Sequence, residues 1–138
     1  MTPVDTGLAG EYAAIYAYGT AAVHLSGALR DLAEALEAEH RDRRDALLGF
    51  YDGHGLEAAP AQPSYDIAPI EDAETAQALL LDVEERLATA WRAGVASEDH
   101  AEREICLNML VECAKALARW RIALGSSAAE PWPGRPAD

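Results

Sequence analysis

Glu11, Glu37, His40 and Glu84 carry the side chains from which a metal centre or a bridged acid pair can be built. Glu11 is the one formally charged residue between Gly7 and Leu25. Glu37 and His40 are three residues apart, which on a helix puts them on neighbouring turns of one face. That spacing suits two ligands of one metal, or one bridged pair. Carboxylates in an apolar stripe need a cation nearby, because an unpaired buried charge costs several kcal/mol. A metal ion is one source of that charge. Arg43, Arg44, Arg103 and Arg121 are another, giving a metal-free network with Glu11, His40 and Glu84.

Four amphipathic segments must position these groups, with helices expected over about 7–25, 28–52, 72–96 and 98–124. At about 100° per residue, Leu8, Ile15, Tyr18, Ala22 and Leu25 share the first stripe, with Glu11 at its centre. Leu29, Leu32, Leu36, Leu47 and Phe50 form the second, with His40 and Arg43 inside it and Glu37 at its border. Ala76, Leu80, Val83, Leu87 and Trp91 form the third, with Glu84 at its edge and Glu85 and Arg92 pointing away. Cys106, Leu110, Ala114 and Leu117 form the fourth, in line with Arg103 and Arg121; Glu112 falls on the opposite face. Ser26-Gly27 breaks the first hairpin, which sets Glu11 level with His40. Asp72 and Ser97 are the expected N-caps of the third and fourth helices, and Gly125 the residue just past the last one.

Loop lengths choose between topologies. The short connections make two antiparallel hairpins. The segment 53–70, with Gly53, Gly55, Pro60, Pro63 and Pro69, excludes regular helix. Its 18 residues reach about 60 Å when extended, enough to return along a helix of about 36 Å. A long crossover between helices 2 and 3 therefore fits better than an up-down-up-down path. The tail 126–138, with Pro131, Pro133 and Pro136, is expected to be irregular, and residues 1–138 are read as a single domain.

Composition narrows the class of function. The chain has 138 residues, 50% hydrophobic and 25% charged, with 30 alanines, ten arginines and Lys115 as its one lysine. A net charge of −13 argues against a nucleic-acid partner and against anionic membrane surfaces. Residues 12–29 lack formal charge, but their Ala, Gly, Tyr and Ser content suits a buried helix rather than a membrane span. The N-terminus has no basic stretch before an apolar core, so no secretory signal is expected. Cys106 and Cys113 lie two turns apart on one helix, about 10 Å, too far for a disulfide. A reducing cytoplasm is the compartment expected from that spacing.

Glu11, Glu37-Ala38-Glu39-His40, Glu84 and the long crossover resemble the ferritin-like superfamily of four-helix bundles. More narrowly, three stretches resemble an uncharacterised actinobacterial family of ferritin-like proteins. They are Glu11-Tyr12-Ala13-Ala14-Ile15-Tyr16-Ala17-Tyr18-Gly19, His40-Arg41-Asp42-Arg43-Arg44-Asp45-Ala46-Leu47 and Ala118-Arg119-Trp120-Arg121. The resemblance covers nearly the whole chain and implies an all-α ferritin-like four-helix bundle and a bacterial source. The broader superfamily implies carboxylate-bridged di-iron or di-manganese chemistry. Two iron or manganese ions would then be held by Glu11, Glu37, His40 and Glu84, with ferroxidase or oxidase activity and Tyr18 as a nearby redox group. This chain departs from that pattern on its fourth helix, where Glu112-Cys113-Ala114-Lys115 stands in place of Glu-x-x-His. The alternative to a metal-binding oxidoreductase is a structural or protein-interaction bundle whose Glu/His cluster is neutralised by arginines.

A second apolar stripe on the first helix, Tyr12, Tyr16, Gly19 and Val23, is covered either by the crossover or by a second copy in a homodimer. His24, His54 and His100 read as surface or hydrogen-bonding residues, and Trp91 and Trp120 as core or interface anchors. No phosphate loop, zinc Cys/His cluster or hydrolytic triad is present in the sequence.

Overall fold

The structure, a computed structural model, describes residues 1–127 and 132–135. The chain is an all-α four-helix bundle: α1 is Pro3–Ala21, α2 Gly27–Gly53, α3 Ala73–Gly94 and α4 His100–Ala123, and the long crossover joins α2 to α3. No strand occurs among the described residues. Among them, too, no helix is long and apolar enough to cross a membrane. The chain divides into two compact units, one of residues 8–80 and one of residues 1–7 with 81–138.

Local chemistry sets the ends of the helices. α1 begins four residues earlier than its apolar period, because Thr2 and Asp5 close a reciprocal capping box. The Thr2 amide donates to Asp5 Oδ2 at 2.8 Å and the Asp5 amide to Thr2 Oγ1 at 3.1 Å. Pro3 then occupies the first helical position, where a missing N–H costs nothing. A 3₁₀ turn, Ala22–His24, extends α1 to the hairpin. Gly27 takes a φ of 58°, so the break at Ser26-Gly27 is one a side chain would strain. Asp72 caps α3 by accepting from the Thr75 amide at 2.9 Å. The cap of α4 is Asp99, which accepts from the Glu102 amide at 2.8 Å. Ser97, expected in that role, instead donates its hydroxyl to Glu102 Oε2 at 2.8 Å. Gly125, at φ 78°, ends α4 with the Ser126 amide donating to the Arg121 carbonyl, a Schellman closure.

In the first unit, α1 and α2 form an antiparallel hairpin, since Glu11 meets His40 while the later Gly19 lies beside the earlier Glu37. The buried positions of α2 are Ala33, Leu36, His40, Arg43, Leu47 and Tyr51, every step being three or four residues. Two polar residues therefore sit at core positions. The crossover folds back onto its own hairpin, where the rings of Tyr65 and Tyr16 lie 5.9 Å apart.

In the second unit, α3 and α4 are antiparallel: Arg121 reaches Glu85, and Cys106 lies against Gly94. Gly94 admits that approach because a Cβ would overlap the Cys106 side chain. The buried face of α4 is Cys106, Met109, Cys113, Ala116, Leu117 and Trp120. It is turned by about one residue from the face expected, and leaves Leu110 and Ala114 half-buried. Gly7 is likewise obligatory, since a methyl there would overlap the buried Trp91 ring. Arg92, expected to point away, donates to the Pro133 carbonyl at 3.0 Å and ties the tail to α3. The described tail residues are irregular; Pro131 and Pro136 lie outside the described residues.

Candidate functional site

Glu11 on α1 and His40 on α2 have no solvent exposure, and Arg43, one turn beyond His40, has almost none. The three-residue spacing of His40 and Arg43 aims both at α1. His40 Nδ1 lies 2.6 Å from Glu11 Oε2. An ionised carboxylate can only accept, so the ring donates its Nδ1 proton there. Arg43 Nη1 lies 3.6 Å from the other oxygen, Oε1, near enough for strong charge attraction in a buried setting. Each carboxylate oxygen thus faces a different nitrogen of α2. Tyr18, also fully buried, tilts its ring over His40 with centroids 5.1 Å apart, closing one side of the cluster.

This arrangement corrects the di-metal expectation. Glu37 does not turn inward with His40: its side chain is 20% exposed, and Oε1 accepts from Arg41 Nη2 at 2.7 Å. A border position on the helical wheel left Glu37 able to face either way, and an arginine four residues on draws it outward. Glu11 is already engaged by His40 and Arg43. Among the described residues no group of three or more His, Cys, Asp or Glu side chains could hold a metal ion. The iron or manganese pair held by Glu11, Glu37, His40 and Glu84, and the ferroxidase or oxidase chemistry drawn from it, are overturned by that finding. The charge on Glu11 is met by the Arg43 guanidinium and by a hydrogen bond from the His40 ring.

Glu84 is fully buried on α3, in the second unit. Arg121 Nη2 lies 3.7 Å from Glu85 Oε1. Arg103 donates to the Ser97 carbonyl at 2.8 Å and so braces the turn between α3 and α4. Arg44 is part-exposed and pairs with its neighbour Asp45 at 2.9 Å. The contact of Tyr16 with Tyr65 agrees with cover of the second α1 stripe by the crossover, one of its two readings, although the sequence did not single out Tyr65. The Arg92–Pro133 bond, spanning 41 residues, had no signal in the sequence.

Cys106 and Cys113 are buried and form no disulfide, and burial, aided by the charge of Glu102, pushes the Cys106 thiol up to about 11. It stays protonated and weakly nucleophilic at neutral pH.

A crystal structure of a conserved hypothetical protein, rv2844, from Mycobacterium tuberculosis is similar to this chain. The two are 29% identical, with a TM-score of 0.80, over 88% of this chain and 93% of that one. The chain is thus related to an uncharacterised actinobacterial protein. No curated protein matches it significantly. The family described as a domain of unknown function (DUF4439) matches residues 4–137, and the chain belongs to that family.

Proposed function

We propose that the protein is a metal-free, ferritin-like bundle of the cytoplasm that works by protein–protein interaction, its interior acid serving to fix helix register. The observation that carries this reading is the Glu11 carboxylate, fully buried and facing His40 through one oxygen and Arg43 through the other. Such a cluster specifies one alignment of α1 on α2, because a slip by one residue would strand a charge at a cost of several kcal/mol. The resemblance of Glu11, His40 and Glu84 to a ferritin ligand pattern is then a vestige in which arginine has taken the place of the metal. Two buried thiols that form no disulfide support a reducing compartment.

Metal retention tests this reading. The protein is incubated with Fe(II) under argon, and separately with Mn(II), then desalted and analysed for metal. The expected content is far below one ion per chain, in the wild type and in Glu11→Gln alike. About two ions per chain, lost on Glu11→Gln, would overturn it.

A second reading places a homodimer contact on α1, through Tyr12, Tyr16 and Val23. It is favoured by Val23, which is 69% exposed. The contact of Tyr16 with Tyr65 leaves Val23 and Tyr12 as the part of that stripe open to a second copy.

A further inference from the structure

The outer face of α4 carries an exposed apolar stripe. Leu107, Val111 and Ile122 are 46%, 44% and 64% exposed, and Ala118 lies between the last two. Their spacing of four, seven and four residues keeps them on one side, opposite the buried Cys106, Cys113 and Trp120. The stripe runs about 22 Å along the axis. Glu104 is exposed at its N-terminal end and Arg119 toward its C-terminal end, while in the middle Lys115 pairs with Glu112 at 3.0 Å.

Net charge decides where two such chains can meet. A chain of −13 repels its copy wherever acids dominate, and α2 exposes Asp31, Glu34, Asp42, Asp45 and Asp52. Between Glu104 and Ile122 the balance reverses, with acids Glu104 and Glu112 against bases Lys115, Arg119 and Arg121. Reversing α4 about an axis beside Val111 brings Glu104 opposite Ala118 of the second copy, one residue from its Arg119, and Val111 beside its own copy. Leu107 then reaches the turn that carries Lys115 and Ala118. Antiparallel helices also set opposite dipole ends together.

We infer that α4 is a self-association face, on which a second copy of this chain packs antiparallel through Leu107, Val111 and the Glu104–Arg119 pair. The inference rests on the interaction reading above and names its surface and its partner. One helix face is small beside a standard interface, so the dimer belongs to the weak, concentration-dependent class.

Sedimentation equilibrium on the full chain tests it. The wild type should move with concentration from 14.8 kDa toward twice that mass. Glu104→Arg and Arg119→Glu should each weaken association about tenfold or more. Combined in one chain they restore opposite charges at both ends, and association should recover. Val111→Cys should cross-link to its own copy under mild oxidation, since the native thiols are buried. Val111→Glu should give monomer with unchanged circular dichroism, which shows that the fold is intact. A monomeric wild type at every concentration overturns the inference. So does a dimer that survives Val111→Glu and dissociates with Val23→Glu. In both cases the metal content still decides separately on the metal-free reading.

Discussion

Glu11→Gln removes one negative charge from the interior of the α1–α2 hairpin while keeping nearly the same volume. Arg43 stays buried with its charge and loses a carboxylate oxygen 3.6 Å away. At that distance a unit pair attracts by about 4–5 kcal/mol in a medium of effective dielectric near 20. Part is returned because the carboxylate need no longer be desolvated, and breaking one side of a buried pair costs about 3–5 kcal/mol in practice. His40 also exchanges a charge-assisted bond at 2.6 Å for a neutral one. The expected loss is about 3 kcal/mol. Urea unfolding followed by circular dichroism measures it, since an m-value near 1.5 kcal/mol/M converts that loss to a midpoint shift of about 2 M. Arg43→Met alone should cost a similar amount. The double variant Glu11→Gln/Arg43→Met should cost at least about 1.5 kcal/mol less than the two single losses added together, because neither charge is then stranded. A loss under about 1 kcal/mol for Glu11→Gln, or additivity within about 0.5 kcal/mol across the cycle, would refute the assignment of Arg43 as the countercharge.

Three further outcomes are expected. Gly7→Ala drives a methyl into the Trp91 ring and should cost about 1–3 kcal/mol by overpacking; thermal unfolding with tryptophan emission as the probe reads both the loss and the displaced ring. Hydrogen bonds from the Thr75 amide and hydroxyl hold the Asp72 carboxyl below its ordinary 3.8. Its stabilising effect is therefore complete above that value and disappears as pH falls through the lowered one, so Asp72→Ala should lower the melting temperature at pH 7 and leave it nearly unchanged near pH 2. The Cys106 thiol, pushed up to about 11 by burial, should resist a disulfide reagent at pH 8 until urea unfolds the chain. Stability from that thiol is whole below the unfolded value near 9 and is lost as pH climbs toward 11. Rapid labelling of the native protein would contradict the buried placement.

Much of this molecule was legible from periodicity alone. Glu11 at the centre of an apolar stripe, with His40 and Arg43 inside the facing one, could be read directly, because a helix repeats its directions every 3.6 residues. The crossover was equally plain, since prolines and glycines from Gly53 to Pro69 bar regular helix. Capping took more than period. Thr2 and Asp5 began α1 ahead of its apolar stripe, and Asp99 rather than Ser97 capped α4.

Tertiary structure decided which partner each polar group takes. The wheel placed Glu37 at a border where a small rotation separates core from water, and Arg41 settled it outward. The same small rotation turned the buried face of α4 onto Met109, Cys113 and Ala116, which left Leu107 and Val111 outside. Whether Glu11 meets a metal or a guanidinium depends on distances across two helices, and one helix's periodicity contains no such distances. For the same reason the seat of Tyr65 on Tyr16 and of Pro133 on Arg92 appears only once the chain has folded back on itself.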